Sequence, residues 1–182
     1  MKGVVFNLLE EVVRRHYSED VWDDLLDEAG VDGAYTSLGS YADADIEALV
    51  AAAAAKLGLT RADVLRWFGQ TAMPVLAELY PVFFEPHHSS RSFVLSVNSI
   101  IHAEVRKLYS GADCPHFNFR DDAEGALLMD YRSSRRMCAL AQGFVEGAGA
   151  HYGETLDFHH DNCVEHGDPH CVFRIQWPIP AA

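Results

Sequence analysis

The segment Tyr131-Arg132-Ser133-Ser134-Arg135 places a phenol, a hydroxyl and a guanidinium at alternate positions. In an extended chain alternate side chains point the same way, so Tyr131, Ser133 and Arg135 are expected to converge on one acceptor. That acceptor should be anionic, because a planar guanidinium fork suits a carboxylate or phosphate and two neutral donors complete its hydrogen bonding. Taken alone, the same five residues also describe an ordinary strand end with an exposed arginine. A second set is Cys138, Cys163 and Cys171 with His160, three residues before Cys163. Three thiolates and one imidazole make a closed tetrahedral structural zinc site. His159, His166 and His170 are rival nitrogen donors, and Cys114 is left as an unpaired thiol. Zinc thiolates can also be oxidised, so a redox-sensing role stands beside the structural one.

The elements that must position these groups follow from periodicity. Val4, Val5, Leu8, Leu9, Val12 and Val13 recur at three- and four-residue intervals and predict an amphipathic helix on which Met1 sits directly. Helices are expected from Asp20 to about Ala29, stopped by Gly30, and from Ala44 to Leu57, with a turn-rich stretch from Gly33 to Ser40 between them. Thr60, with Asp63 three residues on, caps a helix over Arg61 to Phe68, and after Gly69 another runs from Gln70 to Leu79. Phe93 to Tyr109 reads as the clearest long helix, with Val94, Val97, Ile101, Val105 and Leu108 in one stripe and His102 on the adjoining flank. On that evidence His102 is simply a half-buried histidine. After Gly111 the texture changes to strands around Phe117 and Phe119, Ala126 to Tyr131, Phe158 to His160 and Cys171 to Trp177, with a helix from Arg136 to about Ala148. The expectation is one α+β domain over 1–182, with a helical part at roughly 1–60 and an α+β part with a small antiparallel sheet at 61–182.

Composition narrows the functions. Over 182 residues, 49% are hydrophobic and 23% charged, enough for one full core. The net charge of −13 repels phosphate backbones and anionic membranes, which argues against nucleic-acid binding. No run approaches the roughly 18 apolar residues of a membrane span, and Glu10 and Glu11 interrupt any secretory segment, so membrane insertion is not expected and a cytoplasmic location is. Four cysteines are too few for a disulfide scaffold, and a cytoplasmic chain keeps thiols reduced unless a metal holds them.

Ile100-Ile101-His102 on a long helix, Asp113-Cys114-Pro115-His116-Phe117 and Tyr131-x-Ser133-x-Arg135, in this order and spacing, resemble the haem nitric-oxide/oxygen-binding (H-NOX) family, related to the sensor domain of soluble guanylate cyclase. The resemblance covers essentially the whole chain. It implies a haem b buried between the two parts, with His102 as proximal iron ligand and Tyr131, Ser133 and Arg135 on the propionates, the anionic acceptor anticipated above. Neutral imidazole is a good iron ligand. The resemblance further implies that Pro115 presses on the porphyrin and that Met1, Val5, Leu9, Leu140 and Phe144 line the haem pocket. Oxygen-binding members carry a distal tyrosine where this chain has Leu140, so the pocket lacks an evident donor, and NO and CO are favoured over O2. Some members carry a zinc site to which Cys138, His160, Cys163 and Cys171 correspond.

The implied function is a cytoplasmic, bacterial gas sensor without turnover. NO would break the bond to His102 and shift the helical part against the sheet. A separate histidine kinase or diguanylate cyclase/phosphodiesterase would read that shift. A haem peroxidase or oxygenase would instead need a polar distal side, against which Leu140 and Phe144 speak. A redox or zinc-thiolate sensor, or an oxygen-binding haem protein, is the remaining alternative.

Overall fold

The computed structural model describes residues 1–178; the last four residues of the expected α+β part, 179–182, lie outside the described residues. Four helices come first: α1 (Gly3–His16), α2 (Glu19–Ala29), α3 (Asp43–Leu57) and α4 (Arg61–Leu79). Phe6, Leu9, Val12 and Val13 form the buried stripe of α1, as the periodicity requires. Ser18 caps α2 by accepting from the Val21 N–H, and Thr60 and Asp63 close a reciprocal capping box on α4.

The expected break at Gly69 is absent, and α4 runs unbroken through both Gly69 and Pro74. Gly69 serves packing rather than termination: a Cβ there would lie 2.6 Å from both the Leu140 carbonyl oxygen and the Phe144 nitrogen. Pro74 is exposed, so its ring meets solvent while buried neighbours Met73 and Val75 hold the turn in place.

The expected long helix from Phe93 to Tyr109 is three segments: α5 (Ser90–Ser96), a π-helical turn over Val97–Ile101, and α6 (His102–Leu108). The wide turn closes through the His102 N–H, which donates to the Val97 carbonyl five residues back. It inserts one residue relative to an α-helix, so the expected apolar stripe does not stay on one face. Val94 is buried, but Leu108 at its far end is 65% exposed.

The strands β1 (His116–Asp121), β2 (Leu127–Arg132), β3 (Asp157–Asn162) and β4 (Cys171–Gln176) form one antiparallel sheet in the order β1-β2-β4-β3, with α7 (Cys138–His151) connecting β2 to β3. One apolar core gathers Phe6, Leu9, Val12, Trp22, Ile46 and Leu49 from α1–α3. A second packs α5 and α7 on the sheet around Phe93, Val145, Met129, Phe173 and Ile175. Helix α4 serves both, giving Phe68, Ala72 and Val75 to the first and Met73 to the second. The architecture is the α+β arrangement expected, with helices first and a small antiparallel sheet after.

Candidate functional site

His102 opens α6, and its ring lies 5.6 Å from that of Phe117 on β1, nearly parallel at 27°. Its Nδ1 is buried and, among the described residues, has no hydrogen-bond partner. Burial and the nearby Arg106 guanidinium push its pKa down to about 4, against a weaker opposing effect of the Pro115 backbone beside the ring. The imidazole is therefore neutral at ordinary pH and keeps a lone pair for a metal. Asn98, inside the π-turn, donates from Nδ2 to the Phe117 carbonyl and accepts the Phe117 N–H on Oδ1 at 3.3 Å.

Tyr131 pairs in register with Phe117 on one side and Cys171 on the other, and its ring packs against those of Phe117 and Phe173. Burial raises the phenol's pKa, while the Ser133 side chain and the Met137 backbone face its oxygen. The strand ends at Arg132, so the alternation expected through Arg135 stops there. Ser133 instead accepts the Arg135 N–H at 3.2 Å, turning the chain. Even so, Tyr131, Ser133 and Ser134 line an open cleft of about 450 Å³ with Asp113, Cys114 and His116. Arg135 stands at the edge of that region: its Nε donates to Asp43 at 3.1 Å and its Nη1 to the Asp113 carbonyl at 2.5 Å. Burial disfavours the Asp43 carboxylate, yet the Met1 ammonium, 2.5 Å away, and Arg135 hold its pKa below the usual value.

Asp43 and Asp113 were not singled out by spacing. Asp43 lies 92 positions from Arg135, and only the fold brings them together. Asn98 likewise gives no signal in the sequence, since a polar residue in a helical stretch is commonplace there.

The apolar residues expected around a haem fall together. Leu9 is buried in the helical core, and Met1, Val5, Leu140 and Phe144 pack on it half-buried. Phe144 also touches the sheet core, and its ring lies 6.4 Å from that of Phe68. None of these side chains carries a hydrogen-bond donor. The same helical core also holds Tyr35, whose ring stacks on Phe6 and whose buried hydroxyl has no hydrogen-bond partner among the described residues; burial, then Asp45 and Asp32, raise its pKa. A neutral histidine with an unpartnered nitrogen, a cluster of hydrogen-bond donors suited to an anion and an apolar wall together have the chemistry that a haem site needs.

The second set is also assembled. Cys138 begins α7, Cys163 follows β3 and Cys171 begins β4, and their three sulfurs lie within 4.8 Å of one another. Cys138 and Cys163 are 3.7 Å apart as free thiols. Burial, followed by the neighbouring sulfurs, drives the Cys138 pKa far up, and burial also raises that of Cys171. A cation at their centre would reverse this preference by supplying the missing positive charge, so the donor set fits zinc chemically. His160 lies on β3 with its Nε2 2.9 Å from Gln142 Oε1 and its ring against that of Phe173. Among the described residues no histidine nitrogen joins the three sulfurs at the same spacing. Cys114 stands apart, half-buried on the cleft.

Between the two sets lies Arg136, a non-glycine residue in the left-handed region at φ 51°. Its guanidinium donates to the Val164 carbonyl at 2.7 Å and pairs with Glu165, so the turn out of β2 is tied to the loop after Cys163.

Comparison with known proteins agrees with this geometry. The profile of the haem-NO-binding family matches residues 2–160. The crystal structure of an H-NOX protein from S. oneidensis in the Fe(II)NO state matches with a TM-score of 0.91 at 31% identity, covering 98% of this chain and 100% of that one. An H-NOX domain from Shewanella oneidensis in the Fe(II)CO state gives 0.87 at 32%, covering 98% and 99%. The unliganded Fe(II) H-NOX protein from K. algicida gives 0.86 at 23%, covering 100% and 99%, a likeness of fold. The chain thus belongs to the haem-NO-binding, or H-NOX, family of haem-based gas sensors, which are sensor domains rather than catalysts.

Proposed function

We propose that this chain senses nitric oxide, and binds CO, at a ferrous haem b while having little affinity for O2. The observation that carries the discrimination is the apolar character of Val5, Leu9, Leu140 and Phe144, four neighbours in the helical core none of whose side chains can donate a hydrogen bond. Bound O2 carries partial negative charge and is retained by a facing donor, whereas NO and CO need none. The haem supplies the iron at which the gas binds, and the chain supplies everything else. His102 offers a neutral imidazole from the proximal side, with Pro115 beside its ring. Tyr131, Ser133 and Arg135 are the residues that would hold the propionates, with Arg135 kept in place by its bonds to Asp43 and Asp113. The relatives from Shewanella whose structures hold NO or CO support the choice of ligands.

The state of the pocket is relayed by movement of the helical part, roughly 1–60, against the sheet, and a separate histidine kinase or diguanylate cyclase/phosphodiesterase reads it. The bacterial, cytoplasmic setting belongs to the same proposal. Zinc at Cys138, Cys163 and Cys171, completed by His160, serves as a structural clip on α7 and the β3–β4 hairpin. The 3.7 Å approach of Cys138 and Cys163 as free thiols favours, as a second reading, a redox sensor acting through that cluster.

The deciding experiment is an absorption spectrum of the haem-loaded, reduced protein under argon, in air, with CO and with NO. Spectra that change with CO and NO but not with air are expected. A stable change in air alone would refute the apolar-pocket reading and move the function to oxygen binding.

A further inference from the structure

Among the described residues β1 is an edge of the sheet, paired with β2 alone, with Phe117 opposite Tyr131. In an antiparallel strand each residue points its N–H and C=O to the same side. Both groups of Phe117 are taken by Asn98, so they face the free edge, and the Asn98 side chain completes the strand there as one residue of a missing neighbour would. Only a primary amide of this length meets both demands: aspartate accepts but cannot donate, leucine does neither, and glutamine is one methylene too long.

The location of this clamp gives it meaning. Asn98 lies within the π-turn, four residues before His102, and the residue it grips carries the ring that stacks on His102 at 5.6 Å. A π-turn is an uncommon and costly feature that persists where surrounding contacts enforce it. Relaxation to a regular α-helix would rotate everything after the turn by about one residue, or about 100°. That would carry His102 away from Phe117.

We propose that Asn98 is the positioning residue of the proximal histidine: its clamp on Phe117 holds the π-turn and thereby fixes the direction of the His102 imidazole. This rests on the reading of His102 as the iron ligand and adds a residue that acts through it.

The test compares the haem-loaded wild-type chain with Asn98→Leu, of the same branched shape though bulkier and without hydrogen-bonding groups, and Asn98→Asp, which keeps the acceptor. Circular dichroism and haem uptake establish that each is folded. Two readouts are taken on the ferrous protein: amide exchange at Phe117, and the iron–histidine stretching band by resonance Raman. In Asn98→Leu the Phe117 amide should exchange at least about 5-fold faster, as for loss of one hydrogen bond, and the band should shift or split. In Asn98→Asp the Phe117 amide should stay protected while the band still moves, because the carbonyl has lost its donor. An unshifted band in both variants overturns the proposal, even if exchange accelerates. Should Asn98→Leu fail to fold, Asn98→Asp decides alone by the same band. A wild-type chain that takes up no haem, or takes it up equally after His102→Gly with an unchanged spectrum, refutes the ligand reading itself, and the positioning role falls with it.

Discussion

Gly143 lies in α7 between Leu140 and Phe144, the two residues of that helix facing the expected pocket, and a Cβ at this position would sit 2.1 Å from the Arg66 carbonyl oxygen on α4. In Gly143→Ala two effects oppose each other. Alanine favours the helix by about 1 kcal/mol over glycine. Against this, a carbon–oxygen approach needs more than about 3 Å, so α4 and α7 must separate or slide by roughly 1 Å, and a gap of that size forfeits a quarter to a half of each affected dispersion contact. The partner is backbone and cannot swing aside, and Gly69 and Gly147 make comparably close approaches along the same interface. Overpacking at such a site costs about 3 kcal/mol, the upper end of the usual range. The net loss is then about 2 kcal/mol, which for a chain of this size lowers Tm by about 4–8 °C. The assay is thermal unfolding of the haem-free and haem-loaded chain, with Ala150→Gly, exposed on the same helix, calibrating the propensity effect. An unchanged or raised Tm for Gly143→Ala would refute the close approach of α4 and α7.

His102 should make the haem-free chain acid-sensitive: its imidazole accepts a proton at about 4 when folded and near 6.5 when unfolded, so stability held above 6.5 is lost as pH falls towards 4. The loss, on the order of 3 kcal/mol, should vanish in His102→Leu, and parallel stability–pH curves for the two chains would count against a buried neutral imidazole. The wild-type chain should purify with about one zinc, and Cys163→Ser with less than about half; metal analysis and thiol titration decide, and a zinc-free wild type with every thiol reactive would sink the site. Leu140→Tyr should give the ferrous, haem-loaded protein a spectral change in air that the wild-type chain lacks, by supplying the missing donor; an absorption spectrum in air as unchanged as that of the wild type would show that residue 140 does not face the ligand.

Much of this arrangement was legible in the chain because it is local. The stripe of α1, the capping box at Thr60 and the sulfur spacing around the β3–β4 turn all follow from residues a few positions apart. What escaped was non-local or involved a shift of register. Gly69 reads as a helix break until α7 is seen to need its missing side chain. The π-turn leaves no periodic trace, since Val97, Ile101 and Val105 follow one another at intervals of four as in an ordinary α-helix. The pairing of Arg135 with Asp43 and Asp113 depends on three segments meeting, and short-range pattern is silent on that.

The left-handed Arg136 connects the turn at Ser133–Arg135 to the cysteine cluster, with only Met137 between it and Cys138. Tyr131 and Cys171 face each other across neighbouring strands. The two centres therefore have no spare chain between them through which one could drift independently. Inserting or deleting a single residue in 132–138 would misplace both at once. Anyone transplanting the Tyr-x-Ser-x-Arg pattern into another protein would need to carry the whole strand, turn and first helical turn, because the five letters alone do not encode the bend that aims them.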